Sequence, residues 1–97
     1  MKRVQFHGVA YAEMIESAQR YEGEQADLGR RFLDAVETAV NHVQRFPRSC
    51  PRIDRGVRRA LVKSFPYGVV YRCSENRIEI IAVMHLHREP GYWKERL

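Results

Sequence analysis

The stretch Tyr67–Leu86 constrains the fold most. Tyr67-Gly68-Val69-Val70-Tyr71-Arg72-Cys73 is aromatic and β-branched, a composition suited to a pleated surface. Ser74-Glu75-Asn76 is a short cluster of turn formers. The next run, Arg77–Leu86, is therefore expected to fold straight back as an antiparallel partner. On simple alternation Ile78, Ile80, Ala82, Met84 and Leu86 share one face. Glu79, Ile81, Val83, His85 and His87 share the other. The middle of this run is apolar on both faces, which predicts an interior strand covered at least in part on both sides.

The upstream chain must supply that cover. Arg3-Val4-Gln5-Phe6 alternates polar and apolar, a short first strand. Tyr11, Met14 or Ile15, Ala18 and Tyr21 recur at helical spacing and predict a helix over about Val9–Glu24. Glu13, Glu16, Gln19, Arg20 and Glu24 fall on its remaining surface. Gly23 and Gln25-Ala26-Asp27 break it, with Asp27 as N-cap of the next helix. Leu28, Phe32, Val36, Ala39 or Val40, and Val43 form a second stripe, widened by Leu33 and Phe46. Pro47 stops this helix at Arg45–Phe46. A connector this short makes the helices antiparallel neighbours.

Arg48–Gly56 reads as a loop, with its arginines in solvent. Val57–Ser64 reads as a strand, with Arg59, Leu61 and Lys63 on one face and Arg58, Ala60 and Val62 on the other. Phe65-Pro66 turns it into Tyr67. An amphipathic helical hairpin must bury its stripe, and a sheet face is the available surface. The expected fold is α+β: a two-layer sandwich with an N-terminal strand, an antiparallel helical hairpin packed on an antiparallel sheet, and a short C-terminal tail. The other sheet face is expected to be partly open, with basic and His side chains along it.

The length, 97 residues, fits one domain spanning 1–97. No apolar run approaches a membrane span, and no signal-peptide core follows Met1-Lys2-Arg3. A cytoplasmic protein is expected. Cys50 and Cys73 form no C-x-x-C pair, which excludes a zinc ribbon or dithiol motif. Cys73 is expected to be a buried strand residue and Cys50 an incidental loop residue. The net charge of +5 favours polyanions or acidic protein partners.

Chemistry-bearing residues concentrate in the last two strands and the tail. His85 and His87, one residue apart, point the same way and offer acid–base groups titrating near neutrality. Two imidazoles without a third spaced ligand do not make a metal site, so neither metal nor cofactor is expected. Arg58, Arg59, Lys63, Arg72 and Arg88 lie on adjacent strands or at the end of one. They either meet on the open face as a phosphate-binding surface or form a solvated sheet face. Tyr92 and Trp93, after Pro90-Gly91, either stack on bases or fold back to close the core, with Trp93 the more buried.

Taken together, these segments resemble the RelE/ParE superfamily of small bacterial toxins from type II toxin–antitoxin pairs. The resemblance rests on Gly29-Arg30-Arg31-Phe32-Leu33-Asp34-Ala35-Val36-Glu37 and Pro47, then Arg58-Arg59-Ala60-Leu61-Val62 and Phe65–Tyr71. It ends in Ile81-Ala82-Val83-Met84-His85, Arg88, Pro90 and Tyr92-Trp93. It covers almost the whole chain. It implies a compact toxin neutralised by a cognate antitoxin that wraps an extended or helical segment around it. RelE-like members cleave mRNA in the ribosome, whereas ParE-like members are described as poisoning DNA gyrase. If nuclease chemistry holds here, Arg59, Lys63, His85, Arg88 and Tyr92 carry it. Arg58, Arg72, His87 and Trp93 are then the target- or nucleic-acid-binding residues. The sequence departs from the nuclease pattern at Gly68, where RelE-like enzymes carry a catalytic Arg. That departure and the long helical hairpin favour the ParE-like side.

Overall fold

The computed structural model describes residues 1–97. In chain order the elements are β1 (Arg3–Phe6), α1 (Gly8–Glu24), α2 (Leu28–Arg45), β2 (Arg52–Asp54), β3 (Val57–Leu61), β4 (Tyr67–Cys73) and β5 (Arg77–His85), with a final 3-10 turn at Lys94–Arg96. The sheet order is β1-β5-β4-β3-β2. The expected hairpin is therefore β4–β5, and β5 lies inside the sheet. The helices pack on one face, so the α+β two-layer arrangement is the one expected.

Three features of the sheet differ from the sequence reading. The sheet is mixed, because β1 runs parallel to β5, with Arg3 opposite Arg77 and Phe6 opposite Ile80. The presumed loop Arg48–Gly56 contains the edge strand β2, which pairs with β3 at Arg52–Arg58 and Asp54–Val57. And β3 stops at Leu61, because Ser64 takes a left-handed backbone (φ 72°) that turns the chain into β4.

The largest departure is a bulge in β5. Val70 pairs with Ala82 but Tyr71 pairs with Ile80, so Ile81 has no partner on β4. One extra residue shifts the side-chain phase of everything after it. Ile78 and Ile80 face the helices, and beyond the bulge Val83 does. Ile81, Ala82 and Met84 pack on the opposite face with Val57, Val70 and Trp93. Simple alternation along β5 therefore fails from Ala82 onward. The strand is nonetheless buried on both faces, as expected of an apolar run of this kind.

The helix-side core centres on Phe32, which is fully buried. Its ring lies 5.3, 5.2 and 4.8 Å from those of Tyr21, Phe65 and Tyr67, spacings typical of attractive aromatic pairs. Along α1 the buried positions are Ala10, Ser17 and Ala18. Tyr11 is not among them: it is half exposed, its ring nearly perpendicular to that of Phe6. The cysteine expectations are reversed too. Cys50 is buried, and Cys73, at the end of β4 beside the Ser74–Asn76 turn, is exposed. Trp93 closes the far side of the sheet and keeps only 3% of its surface exposed. No helix is long and apolar enough to cross a membrane.

Asp27 holds the N-cap position of α2 but does not cap it. Its backbone is left-handed (φ 73°) and its carboxylate makes no capping bond. The carboxylate of Glu22, in α1, accepts from Asp27 N at 2.9 Å and Gly29 N at 3.0 Å instead. It thereby satisfies orphan amides and places a negative charge at the positive end of the α2 dipole. Gly29 permits this approach, because a Cβ there would sit 2.4 Å from Ala18 O. Gly29→Ala is expected to destabilise the protein by about 1–3 kcal/mol through overpacking against backbone. A chemical denaturation curve checks this; an unchanged midpoint would contradict the contact.

Candidate functional site

The tail after β5 does not hang free. It is held by Glu13, a helix residue that the sequence pattern assigns to solvent-facing surface. Arg96 donates from Nη1 to Glu13 Oε1 and from Nη2 to Oε2, both at 2.9 Å. Tyr92 Oη donates to Oε2 at 2.8 Å, and Val83 N to Oε1 at 3.1 Å. Four donors saturate the carboxylate. Arg96 Nη1 also donates to Ile81 O at 3.0 Å. The same pair of side chains therefore satisfies backbone groups at and beside the bulge. Glu13 holds the guanidinium of Arg96 more firmly charged than usual. Burial, with the bond to Glu13 and its charge, pushes the Tyr92 phenol well above its ordinary value. Arg88 stacks on Tyr92, its guanidinium carbon 3.9 Å from the ring centroid.

The five candidate catalytic residues fall into two groups. His85, Arg88 and Tyr92 share a cavity of about 350 Å³ with Arg20 and Tyr67. Within it the Arg20 guanidinium donates to the Tyr67 hydroxyl. The His85 ring lies 5.2 Å from those of Tyr67 and His87, and its Nδ1 accepts from His87 N at 3.1 Å. Arg59 and Lys63 instead line a groove of about 480 Å³ between α2 and the outer edge of β3.

Of the two alternatives for the five basic residues, convergence on one face is not what the structure shows. Arg58 turns to the helix side and donates to Cys50 O at 2.6 Å. Arg72 pairs with Glu79, opposite it on β5, at 2.8 Å. Arg59 lies across Gly68 on the other face: a Cβ at Gly68 would sit 2.7 Å from Arg59 Cδ. Lys63 lies in the groove and Arg88 on the Tyr92 ring. Alternation along β3 and local ion pairing along β4 and β5 scatter the charges. The open face carries Trp93 and not the imidazoles, because the bulge turns His85 towards the helix side with Tyr67. Of the expected target-binding residues, Arg58, Arg72 and Trp93 thus have structural contacts, and the His87 ring lies tilted at 59° to that of His85. No three His, Cys, Asp or Glu side chains converge as a metal site would require. Glu13 and Arg96 were missed by pattern reading. Nothing local marks them: Glu13 stands among other polar residues of α1, and Arg96 follows Lys94 and Glu95 in the tail.

The comparisons with known proteins agree with this architecture. Residues 4–90 match the family model of the ParE toxin of the type II toxin–antitoxin system parDE. The fold is similar to a chain in the solved structure of the chromosomal ParDE system from P. aeruginosa. The TM-score is 0.64 at 19% identity, covering 88% of this chain and 96% of that one. No curated protein matches the chain.

Glu13→Ala would leave Arg96 with its charge buried and unmatched. The expected cost is about 3–5 kcal/mol, read as a lower denaturation midpoint together with faster proteolysis of the Gly91–Leu97 tail. A variant whose tail stays protected would show that Trp93 alone holds it.

Proposed function

This chain belongs to the ParE toxin family of type II toxin–antitoxin systems, and from that premise we propose that it arrests growth as a non-enzymatic poison of DNA gyrase, neutralised by a cognate antitoxin. Its place of action is then the cytoplasm.

The observation that carries this reading is the seat of Gly68. At the position where RelE-like enzymes carry a catalytic Arg, this chain has a glycine roofed by the methylenes of Arg59. An arginine there would have to displace a side chain already in place. Two further features point the same way. General acid–base catalysis needs a group that exchanges its proton within reach of the substrate. The Tyr92 hydroxyl is committed to Glu13 and is harder to ionise than a free phenol. The phosphate-binding candidates Arg59 and Lys63 line a different cavity from His85 and Arg88. The nuclease alternative, acting on ribosome-bound mRNA, would need these two sets to work together on one phosphodiester. On the gyrase reading, the exposed turn His87-Arg88-Glu89 is the part of the tail free to touch the target. Arg88 there is already preorganised by its stack on Tyr92.

The purified protein is expected to inhibit supercoiling by gyrase at concentrations matching those that stop growth, while primer extension finds translated messages intact. Untouched supercoiling with truncated messages would reverse the assignment. The antitoxin half of the proposal is tested separately: the tagged toxin is expected to co-purify with the small acidic or amphipathic product of a neighbouring gene. Recovery of the toxin alone from cells expressing both would sink it.

A further inference from the structure

The net charge is not spread over the molecule. Residues 45–59 hold six of the seventeen Lys and Arg side chains and one of the twelve carboxylates, Asp54, and so account for the whole excess of +5. Asp54 is already engaged: its Oδ2 lies 3.5 Å from Lys94 Nζ, and its Oδ1 accepts from Arg55 N at 2.8 Å. None of the six arginines takes part in an ion pair. Arg59 leaves by the face away from the helices, over Gly68. The other five follow the end of α2, the loop after it and the β2–β3 hairpin.

The backbone that carries them is held in place. Tyr71 Oη donates to Pro47 O at 2.7 Å, Arg58 Nη1 to Cys50 O at 2.6 Å and Arg59 N to Pro51 O at 3.1 Å. Ser49 Oγ ties the end of α2, donating to Phe46 O at 2.8 Å. Gly56, with a left-handed backbone (φ 70°), makes the turn that presents Arg55. Arg45, Arg48, Arg52 and Arg55 are all exposed. Register sets Arg52 opposite Arg58, and like charges so placed oppose each other. Blunting a strand edge against aggregation takes a charge or two. It does not account for Arg45 and Arg48, which precede the edge strand. What the array lacks is a negative partner.

We infer that this surface binds the phosphate backbone of duplex DNA without reading its sequence. Guanidinium forks match phosphate oxygens in pairs. A row spread over a helix end, a loop and a hairpin tip suits a run of phosphates better than one small anion. Single-stranded RNA is bound largely by stacking its bases on aromatic rings. Phe46 is the one aromatic residue in the segment. The Arg45 guanidinium carbon and the His42 ring already lie 5.7 and 5.5 Å from its ring centroid. An acidic protein would need an apolar centre to the interface. The exposed apolar side chains here, Phe46 and Ile53, stand apart, one under Arg45 and the other in the groove beside α2. The inference is independent of the gyrase reading, since it requires only this chain and DNA.

The test is fluorescence anisotropy of the purified chain with a short labelled duplex, repeated across salt. The slope of log affinity against log salt is expected at about −3.6, the value for four neutralised phosphates. Arg48→Ala with Arg52→Ala and Arg55→Ala is expected to shrink the slope to about −1 and to weaken binding about tenfold or more. The same three positions changed to Lys keep the slope, which separates lost charge from lost fold. Arg30→Ala with Arg31→Ala, exposed cations near the start of α2, leaves the Kd within about twofold. An affinity that ignores salt, a slope that the three alanines leave unchanged, or stronger binding to single-stranded RNA of the same length overturns the inference. Equal displacement of the duplex by polyglutamate overturns it too, in favour of an acidic protein. Supercoiling by gyrase is scored separately: a chain that binds DNA and leaves gyrase untouched keeps this inference and loses the one above.

Discussion

Four hydrogen bonds converge on the carboxylate of Glu13, and they join three parts of the chain that are far apart in sequence. The need for them follows from the length of β1. That strand ends at Phe6, and the chain turns into α1 after His7 N has donated to Ile80 O at 2.9 Å. From Ile81 onward β5 has no strand on that side. An interior strand that becomes an edge half-way along would present unpaired backbone. Glu13 and Arg96 take the place of the missing strand, one accepting from Val83 N and the other donating to Ile81 O. Bringing both charges in from water is costly, and a bidentate pair with every remaining site occupied is the arrangement that offsets the cost. The position of the tail follows. With Arg96 fixed on α1, Trp93 is set against Val57, Val70, Ile81, Ala82 and Met84, and the second sheet face is closed without a second layer of helices.

This network explains which parts of the fold were legible. The β4–β5 hairpin could be read because its turn and its β-branched runs are local signals. The α2 stripe could be read because it continues over four turns, ending where Pro47 forbids more helix. The bulge could not. Ile80-Ile81-Ala82-Val83-Met84 is apolar on both faces, so a one-residue slip leaves no mark in the polarity pattern. β2 is three residues long and begins next to Pro51, below the length at which alternation carries information. Glu13 escaped for a different reason. A single glutamate among Glu16, Gln19 and Glu24 looks like any other solvated helix residue, and its partners lie 70, 79 and 83 residues away. The misplacement of Tyr11 is related: α1 buries small residues, Ala10, Ser17 and Ala18, and a stripe of large apolar residues is a poor guide to a helix that lies so close to the sheet.

The candidate site divides along the same line. The sequence displays the basic and aromatic residue types, but proximity along the chain leaves open whether they converge. Arg58 and Arg59 are neighbours and point to opposite faces. Arg72 is drawn to Glu79 by cross-strand register. Spacing alone can place residues on one strand, and only register and phase decide whether they meet.

Gly68 links these observations to the proposed mode of action. A nuclease arginine at that position would need the space above β4, and this chain has given the space to the stem of Arg59. The Cγ and Cδ atoms of Arg59 lie over Gly68, so its stem runs across the inner neighbour β4. The glycine therefore has two effects. It offers no cation at that position, and it makes the room that the Arg59 stem occupies. On the proposed reading, the missing nuclease arginine and the packing of Arg59 across β4 are two sides of one constraint, because the space above Gly68 holds a single side chain.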